Sequence, residues 1–292
     1  MLRIILALLL AGWAAVAGAQ NTATSFKSTE VSPGIYVLAG ADGFGGGNMA
    51  LVIGKDFVAM IDDGIEPLAP TLLAKVKQLA GRPVNFIINT HLHGDHAGGN
   101  AHFAENAVVI FGHDNIRSRL VLDATPAGGS SGLPVVTFAE GINFHLGGIA
   151  AEVLHLPRAH TDGDAAIFFP EVNVLHTGDI FFNQLFPFID LDNGGSVDGY
   201  IAAQRKLLEM TNDQTKIIPG HGDIASKAEL ERDLQMLIDC RSRIAALFDS
   251  GESEEEIVAA NPLADYHDAY NWGFITTELM TRTLYRALAR GN

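Results

Sequence analysis

One cysteine in 292 residues, Cys240, excludes an internal disulfide and a cysteine-based zinc ribbon. Any metal in this chain must be held by histidine and carboxylate. Basic residues are scarce as well: 19 Lys and Arg stand against 34 Asp and Glu, a formal charge of −15. Recovering counterions from DNA or RNA takes a basic face, so no nucleic-acid partner is expected. Long apolar runs are missing beyond the N-terminus. There Arg3 precedes the apolar run 4–10, and Ala17, Gly18 and Ala19 form a small-residue cleavage site before Gln20. This pattern predicts a secretory signal peptide over 1–19, and its apolar stretch falls short of the roughly 20 residues that span a bilayer. The expectation is a periplasmic or secreted protein with no stable membrane association after signal cleavage. Apolar content is plentiful, at 48%, enough to bury a core and to exclude wholesale disorder.

Two short apolar runs, 34–38 and 50–61, flank a loop over 39–48 that contains five glycines, which is hairpin grammar. A helical pattern follows at 71–79, then apolar runs at 84–88 and 108–111 on either side of a His-rich stretch. Strand and helix in alternation imply layered α/β architecture. The later chain reads as strands at 151–156, 165–169, 172–175 and 216–218, with a helix at 197–210. After Gly222 an apolar stripe over 227–248 and a second helical segment at 276–288 predict a helical extension, 226–292, packed on a domain spanning 20–225. Cys240 lies in that extension and reads as a small buried hydrophobe. The acidic run 252–256 reads as a helix start capped by Ser253.

The sequence His91-Leu92-His93-Gly94-Asp95-His96 follows directly on a buried run. Alternate side chains of an extended segment share a face, so His91 and His93 can point one way. Gly94 permits a turn that aims Asp95 and His96 at a second centre. Imidazole and carboxylate suit zinc first, with iron and manganese as alternatives. One loop supplies too few ligands for two metals, so more His or Asp are expected at later strand ends. His160, Asp179 and His221 each stand after an apolar run, in segments that contain glycine.

These residues resemble the metallo-β-lactamase superfamily of dinuclear metallohydrolases, with motifs matching from Asp62 to His221. The resemblance implies a four-layer αββα sandwich carrying the site at one edge of both sheets. It implies that His91, His93 and His160 hold one metal, that Asp95, His96 and His221 hold the second, and that Asp179 bridges. Asp62 would steady the His-rich loop without binding metal. Two zinc ions would lower the pKa of a shared water from about 15.7 to about 7, making a bridging hydroxide that attacks a carbonyl while Asp95 orients it. Members with broad lactam activity use Cys at the position of Asp179 and a nearby Lys to grip the substrate carboxylate. This chain has Asp179, Phe182 three residues on, and no Lys between Asp179 and Arg205. The Asp resembles the thioesterase, lactonase and glyoxalase-II-like branches.

The expectation is therefore an exported zinc hydrolase of a small-molecule carbonyl substrate. A β-lactam amide is the first candidate, a lactone or thioester the alternative, and a non-catalytic periplasmic metal-binding protein the reading from another class. Oligomeric state is left open. Phe44 in the glycine-rich loop, Arg158 and Asn183 are candidate substrate contacts; Phe181, Phe182, Phe186 and Phe188 belong to pocket or core. His102, His113, His145, His155, His176 and His267 fit no ligand position. Gly128-Gly129-Ser130-Ser131-Gly132 matches a serine-hydrolase elbow in letters only, since it sits between Pro126 and Pro134 instead of strand and helix. A calcium-like start at Asp190 lacks the final Glu and reads as a turn.

Overall fold

The computed structural model describes residues 24–122 and 129–291, so residues 1–19, expected to be a signal peptide, and Gly128 lie outside the described residues. Among the described residues no helix is long and apolar enough to cross a membrane. The strands form two sheets. The first contains β1 (Phe26–Ser32), β2 (Ile35–Gly40), β3 (Met49–Ile53), β4 (Val58–Ile61), β5 (Phe86–Ile88), β6 (Val109–His113) and β7 (Val136–Phe138), in that spatial order. Its first four strands are antiparallel and β4 to β7 run parallel. The second contains β8 (Gly141–His145), β9 (Ala150–His155), β10 (Ala165–Phe169), β11 (Val174–His176) and β12 (Lys216–Ile218). Only its last pair, β11 and β12, is parallel.

The period-2 alternation of strands sorts their side chains into layers. Ala50, Val52, Ala59 and Ile61 face the other sheet, where Val153, Ala165, Ile167 and Phe169 meet them. Their strand neighbours Leu51 and Met60 point the opposite way, onto Leu72, Leu73 and Val76 of α1 (Ala69–Ala80). On the far side of the second sheet, Ala166, Leu175 and Ile217 pack against three helices, α5 (Val197–Met210), α6 (Lys227–Asp249) and α9 (Thr277–Ala289). The result is the expected four-layer αββα sandwich. The helical extension supplies much of its outer layer through Leu230, Leu234, Leu237, Cys240, Met280 and Leu284.

Because both faces of the first sheet are buried, β3 and β4 read together as one apolar run in the sequence. The structure breaks that run at Gly54-Lys55-Asp56, where the chain turns between the two strands. Helices α2 (Gly94–Ala97), α3 (Asn100–Glu105) and α4 (Asp114–Leu122) add to the pattern read from sequence. The intervening α7 (Glu254–Ala260) and α8 (His267–Tyr270) connect α6 to α9, with Ser253 and Glu256 forming the capping box at the start of α7. Residues Gly129–Gly132 form a single 3-10 turn.

Strand direction places the chemistry. Ile61 of β4 pairs with Ile88 of β5 in parallel register, so Asp62 and the loop beginning at Asn89 leave the same edge. His176 of β11 pairs with Ile218 of β12, so Asp179 and His221 each follow three residues after a strand end at one edge. Strand β10 runs antiparallel to β11, which brings the 156–164 loop, with His160, to that edge as well. The Ala165 amide donates to the Thr90 carbonyl at 2.8 Å and joins the sheets there.

Candidate metal centre

All seven expected ligands converge. His91, His93, His160 and Asp179 present donor atoms within 4.8 Å of one another, as do His96, Asp179 and His221, and as do His91, Asp95 and His96. Asp179 belongs to both main groups and divides its oxygens between them. Its Oδ2 lies 3.7 Å from His91 Nε2 and 3.4 Å from His160 Nε2, while Oδ1 lies 3.0 Å from His96 Nε2 and 3.5 Å from His221 Nε2. Asp95 Oδ2 faces the second group, 3.2 Å from His221 Nε2 and 3.7 Å from His96 Nε2.

The outer nitrogens explain why the inner ones are available. Asp62 accepts from the Thr90 amide and hydroxyl and from His96 Nδ1, all at 2.7 Å. With its proton given to Asp62, the Thr90 hydroxyl is left to accept from His91 Nδ1 at 3.0 Å. His160 Nδ1 donates to the Phe188 carbonyl at 2.7 Å, and His93 Nε2 donates to Asp190 Oδ2 at 2.9 Å. Each bond fixes a tautomer whose lone pair faces the centre, as second-shell partners of metal-binding histidines do. His93 Nδ1 and His160 Nε2 then face each other only 2.7 Å apart. Two lone pairs so placed repel unless a cation lies between them. His91 Nε2 and Asp179 Oδ1 are buried without a hydrogen bond, which a metal ion would remedy. The residues fit a pair of N/O-ligated divalent ions.

Electrostatics follow the same division. Burial lowers the His91 pKa well below the usual imidazole value and that of His160 to about 4, against the pull of Asp179. Burial opposes the proton on His96 and His221 too, but Asp179 and Asp95 prevail. His96 is raised well above its ordinary value and His221 to about 9. Burial would raise Asp95, yet His96 and His221 bring it down to about 2, and the same histidines hold Asp179 well below the carboxylate range.

The backbone is shaped to this cluster. Asp62 adopts a left-handed conformation, φ 59°, which Asp tolerates better than most residues and which is concentrated at functional sites. A Cβ on Gly220 would stand 2.0 Å from Asp179 Oδ1, and one on Gly47 would stand 2.2 Å from the His96 ring. Both ligands need glycine beside them.

The candidate substrate contacts separate. Phe44 lines a pocket of about 200 Å³ beside His221, its ring parallel to the imidazole within 5° at 6.4 Å. Its loop is pinned: the Gly47 amide donates to the Asp95 carbonyl and the Asn48 amide to the Gly220 carbonyl. The glycines therefore serve close approach to the metal loop. Asn183 is buried, its amide donating to the Asp223 carbonyl and accepting from Arg232, so it braces the frame of the site. Arg158 is exposed, in left-handed backbone two residues before His160. The four phenylalanines divide: Phe181 and Phe186 are core, whereas Phe182 stacks on His221 at 5.0 Å and Phe188 packs on His93 and His160 at 5.6 Å. His176 donates to the Asn48 carbonyl and His155 stacks on His113, structural roles in both cases.

Sequence reasoning missed Asp190 and Thr90 as parts of the site, and it left Trp272 and Phe274 open between covering the pocket mouth and meeting a partner subunit; the structure sets Trp272 beside His221 and Phe274 beside Trp272. Asp190 does form the expected turn, accepting from the Asp192 and Asn193 amides, but its second oxygen serves His93.

The model of the metallo-beta-lactamase superfamily matches residues 42–221. The chain belongs to that superfamily. Its members are metal-dependent hydrolases. The chain is 28% identical over 158 residues to the 2,4-dinitroanisole O-demethylase subunit alpha of Nocardioides sp. (strain JS1661), covering 53% of this chain and 45% of that one. It is 31% identical over 160 residues to the hydroxyacylglutathione hydrolase of Nitrosococcus oceani, covering 54% and 56%. The chain thus spans about half the length of these curated relatives. Among solved structures, the metallo-beta-lactamase from Pontibacter korlensis superposes with a TM-score of 0.64 at 20% identity, over 73% of this chain and 99% of that one. That likeness concerns the sandwich. The superfamily match ends at His221, so Trp272 and Phe274, which stand beside the site, lie beyond it.

Proposed function

We propose that the chain is an exported dinuclear zinc hydrolase that adds water to a small carbonyl substrate, with β-lactam amides, lactones and thioesters as candidate scissile groups. One observation carries this reading: Asp179 offers one oxygen to His91 and His160 and the other to His96 and His221. Two zinc ions held there would supply a water acidic enough to deprotonate near neutral pH and a Lewis acid for the carbonyl oxygen. The chain's own residues do the rest. Asp62, Thr90, Asp190 and the Phe188 carbonyl hold four imidazoles in their working tautomers. Asp95, partly exposed at the mouth and held ionised by His96 and His221, orients the attacking water through its carboxylate. Relatives named hydroxyacylglutathione hydrolase support a thioester, and the metallo-beta-lactamase neighbour keeps a lactam in the set.

The test is metal analysis of the purified protein with a panel of nitrocefin, a homoserine lactone and an acyl thioester. About two metal equivalents, and turnover abolished by a chelator and restored by zinc, are expected. Metal retained with no turnover of the panel would replace this reading with that of a non-catalytic metal-binding protein.

A further inference from the structure

Resting on the hydrolase reading, we infer that the pocket beside His221 receives a compact, uncharged aromatic ring of the substrate, and that Trp272 of the helical extension, backed by Phe274, sets this preference. The pocket holds about 200 Å³ and opens between the 39–48 loop and the 271–276 loop. A dry cavity of about 150 Å³ accepts benzene, so one ring fits with little to spare. Its walls are ring faces, glycine backbone and the Asn48 side chain, whose amide is already spent on the Pro219 and Gly222 carbonyls. Phe44 stands on one side and Trp272 on the other, with Leu185 and the glycines of both site loops between. Among the described residues that line it, none is Lys, Arg, Asp or Glu. His221 is the basic side chain among those described lining residues, and Asp95 at 3.2 Å and Asp179 at 3.5 Å already engage it, so a carboxylate here would find no free partner, whereas a neutral ring would meet surfaces that aromatic groups favour.

The aromatic surface is continuous from the pocket to the ligands. Trp272 lies 6.0 Å from the His221 ring and 6.1 Å from Phe182. Phe274 contacts Trp272 at 5.6 Å and Phe188 at 5.3 Å, and Phe188 in turn packs on His93 and His160. Trp272, Phe274, Phe188 and Phe44 are each only partly buried, so their faces are open to a ligand. The indole is held in place before any ligand arrives. Its Nε1 donates to the Phe186 carbonyl at 2.9 Å, and the Phe186 amide donates to the Tyr270 carbonyl at 2.9 Å. Tyr270 itself is anchored through its hydroxyl to Asp233 at 2.8 Å. A wall fixed in this way loses little entropy on binding, which favours specificity for shape.

The experiment compares three substrates of the zinc-loaded protein with one common leaving group: the phenylacetyl, acetyl and succinyl thioesters. The phenylacetyl thioester is expected to lead the acetyl by about tenfold or more in kcat/KM, mainly through KM, and to lead the anionic succinyl thioester too. In Trp272→Ala and Phe274→Ala the phenylacetyl to acetyl ratio falls towards unity, while Trp272→Phe keeps most of it. A separate readout needs no turnover: neutral phenylacetamide should shift the Trp272 emission saturably, and the shift should vanish in Trp272→Phe. A succinyl preference, or an unchanged ratio in both alanine variants, would overturn the inference. Binding of phenylacetamide without cleavage of any thioester, of nitrocefin or of a homoserine lactone would sink the hydrolase reading and leave the pocket assignment standing. Cleavage without ring preference would sink the pocket assignment alone.

Discussion

A histidine becomes a metal ligand when a neighbour removes its choice of tautomer, and here the neighbour decides for four imidazoles. Asp190 does so for His93 across 97 positions of chain. Replacing Asp190 with Ala should weaken zinc binding by roughly 10- to 100-fold in competition with a chromophoric chelator, and Asp190→Asn, which keeps an acceptor, should lose less. Asp95→Asn keeps an oxygen for the second ion but loses the charge, so metal binding should weaken, and at saturating zinc turnover should still fall by about a hundredfold or more, the contribution typical of a positioned proton-transfer group. Protonation gives a further check. Asp179 and Asp95 hold the His221 proton up to about pH 9, and zinc needs that lone pair. His96 is held protonated in the same way, so binding must expel protons and affinity should rise with pH through the neutral range and up to at least about 9. Calorimetry in buffers of different ionisation enthalpy measures the protons released. At this scale the sequence was legible where ligand types crowd, in the six positions from His91 to His96. It was silent on Asp190, because a turn-forming Asp and a histidine-orienting Asp look alike until the chain is folded. Phe182 and Phe188 could not be told from Phe181 and Phe186 for a similar reason: four rings within eight residues carry no period that separates pocket from core.

At the level of elements, the ends of strands and helices do the positioning. Gly220 sits between β12 and its ligand His221, and a methyl group there would occupy space held by Asp179. Gly220→Ala should cost the protein one metal before it costs the fold, seen as a lower zinc-to-protein ratio with an unchanged circular dichroism spectrum. Helix α6 starts at a reciprocal capping box, Ser226 with Glu229. Ser226→Ala should lower stability by about 1 kcal/mol in urea unfolding, with activity per folded molecule preserved. Long elements were readable: α5 spans Val197–Met210 as its apolar spacing predicts, and α1 ends at Gly81, whose left-handed φ of 67° closes the helix. Short ones were not. Helix α2 makes barely one turn, too little for a 3.6-residue period to register, and its residues were visible only as metal ligands.

For the whole molecule, the extension is a structural layer and a wall of the site at once. A chain ending at residue 225 would expose Leu175, Ile217 and Tyr200, which α6 and α9 cover, and it should be recovered unfolded or aggregated. The four-layer plan was legible because alternating strands and helical stripes leave few ways to bury every apolar face. For residues 272 and 274 the sequence offered two destinations, the pocket mouth or a partner subunit, and could not choose between them, since nothing local in the extension encodes where its loop docks.

The arrangement also bears on how the protein withstands heat. With a single cysteine the chain has no covalent cross-link, yet His91 and His221 stand 130 positions apart in sequence and share Asp179 in space. Ions coordinated there would fasten loops from both sheets together as a rivet does two plates, closing a ring of backbone that the unfolded chain must leave open. Stripping them should lower the melting temperature in proportion to the logarithm of free zinc, so scarcity of the metal would loosen the scaffold as well as silence the chemistry.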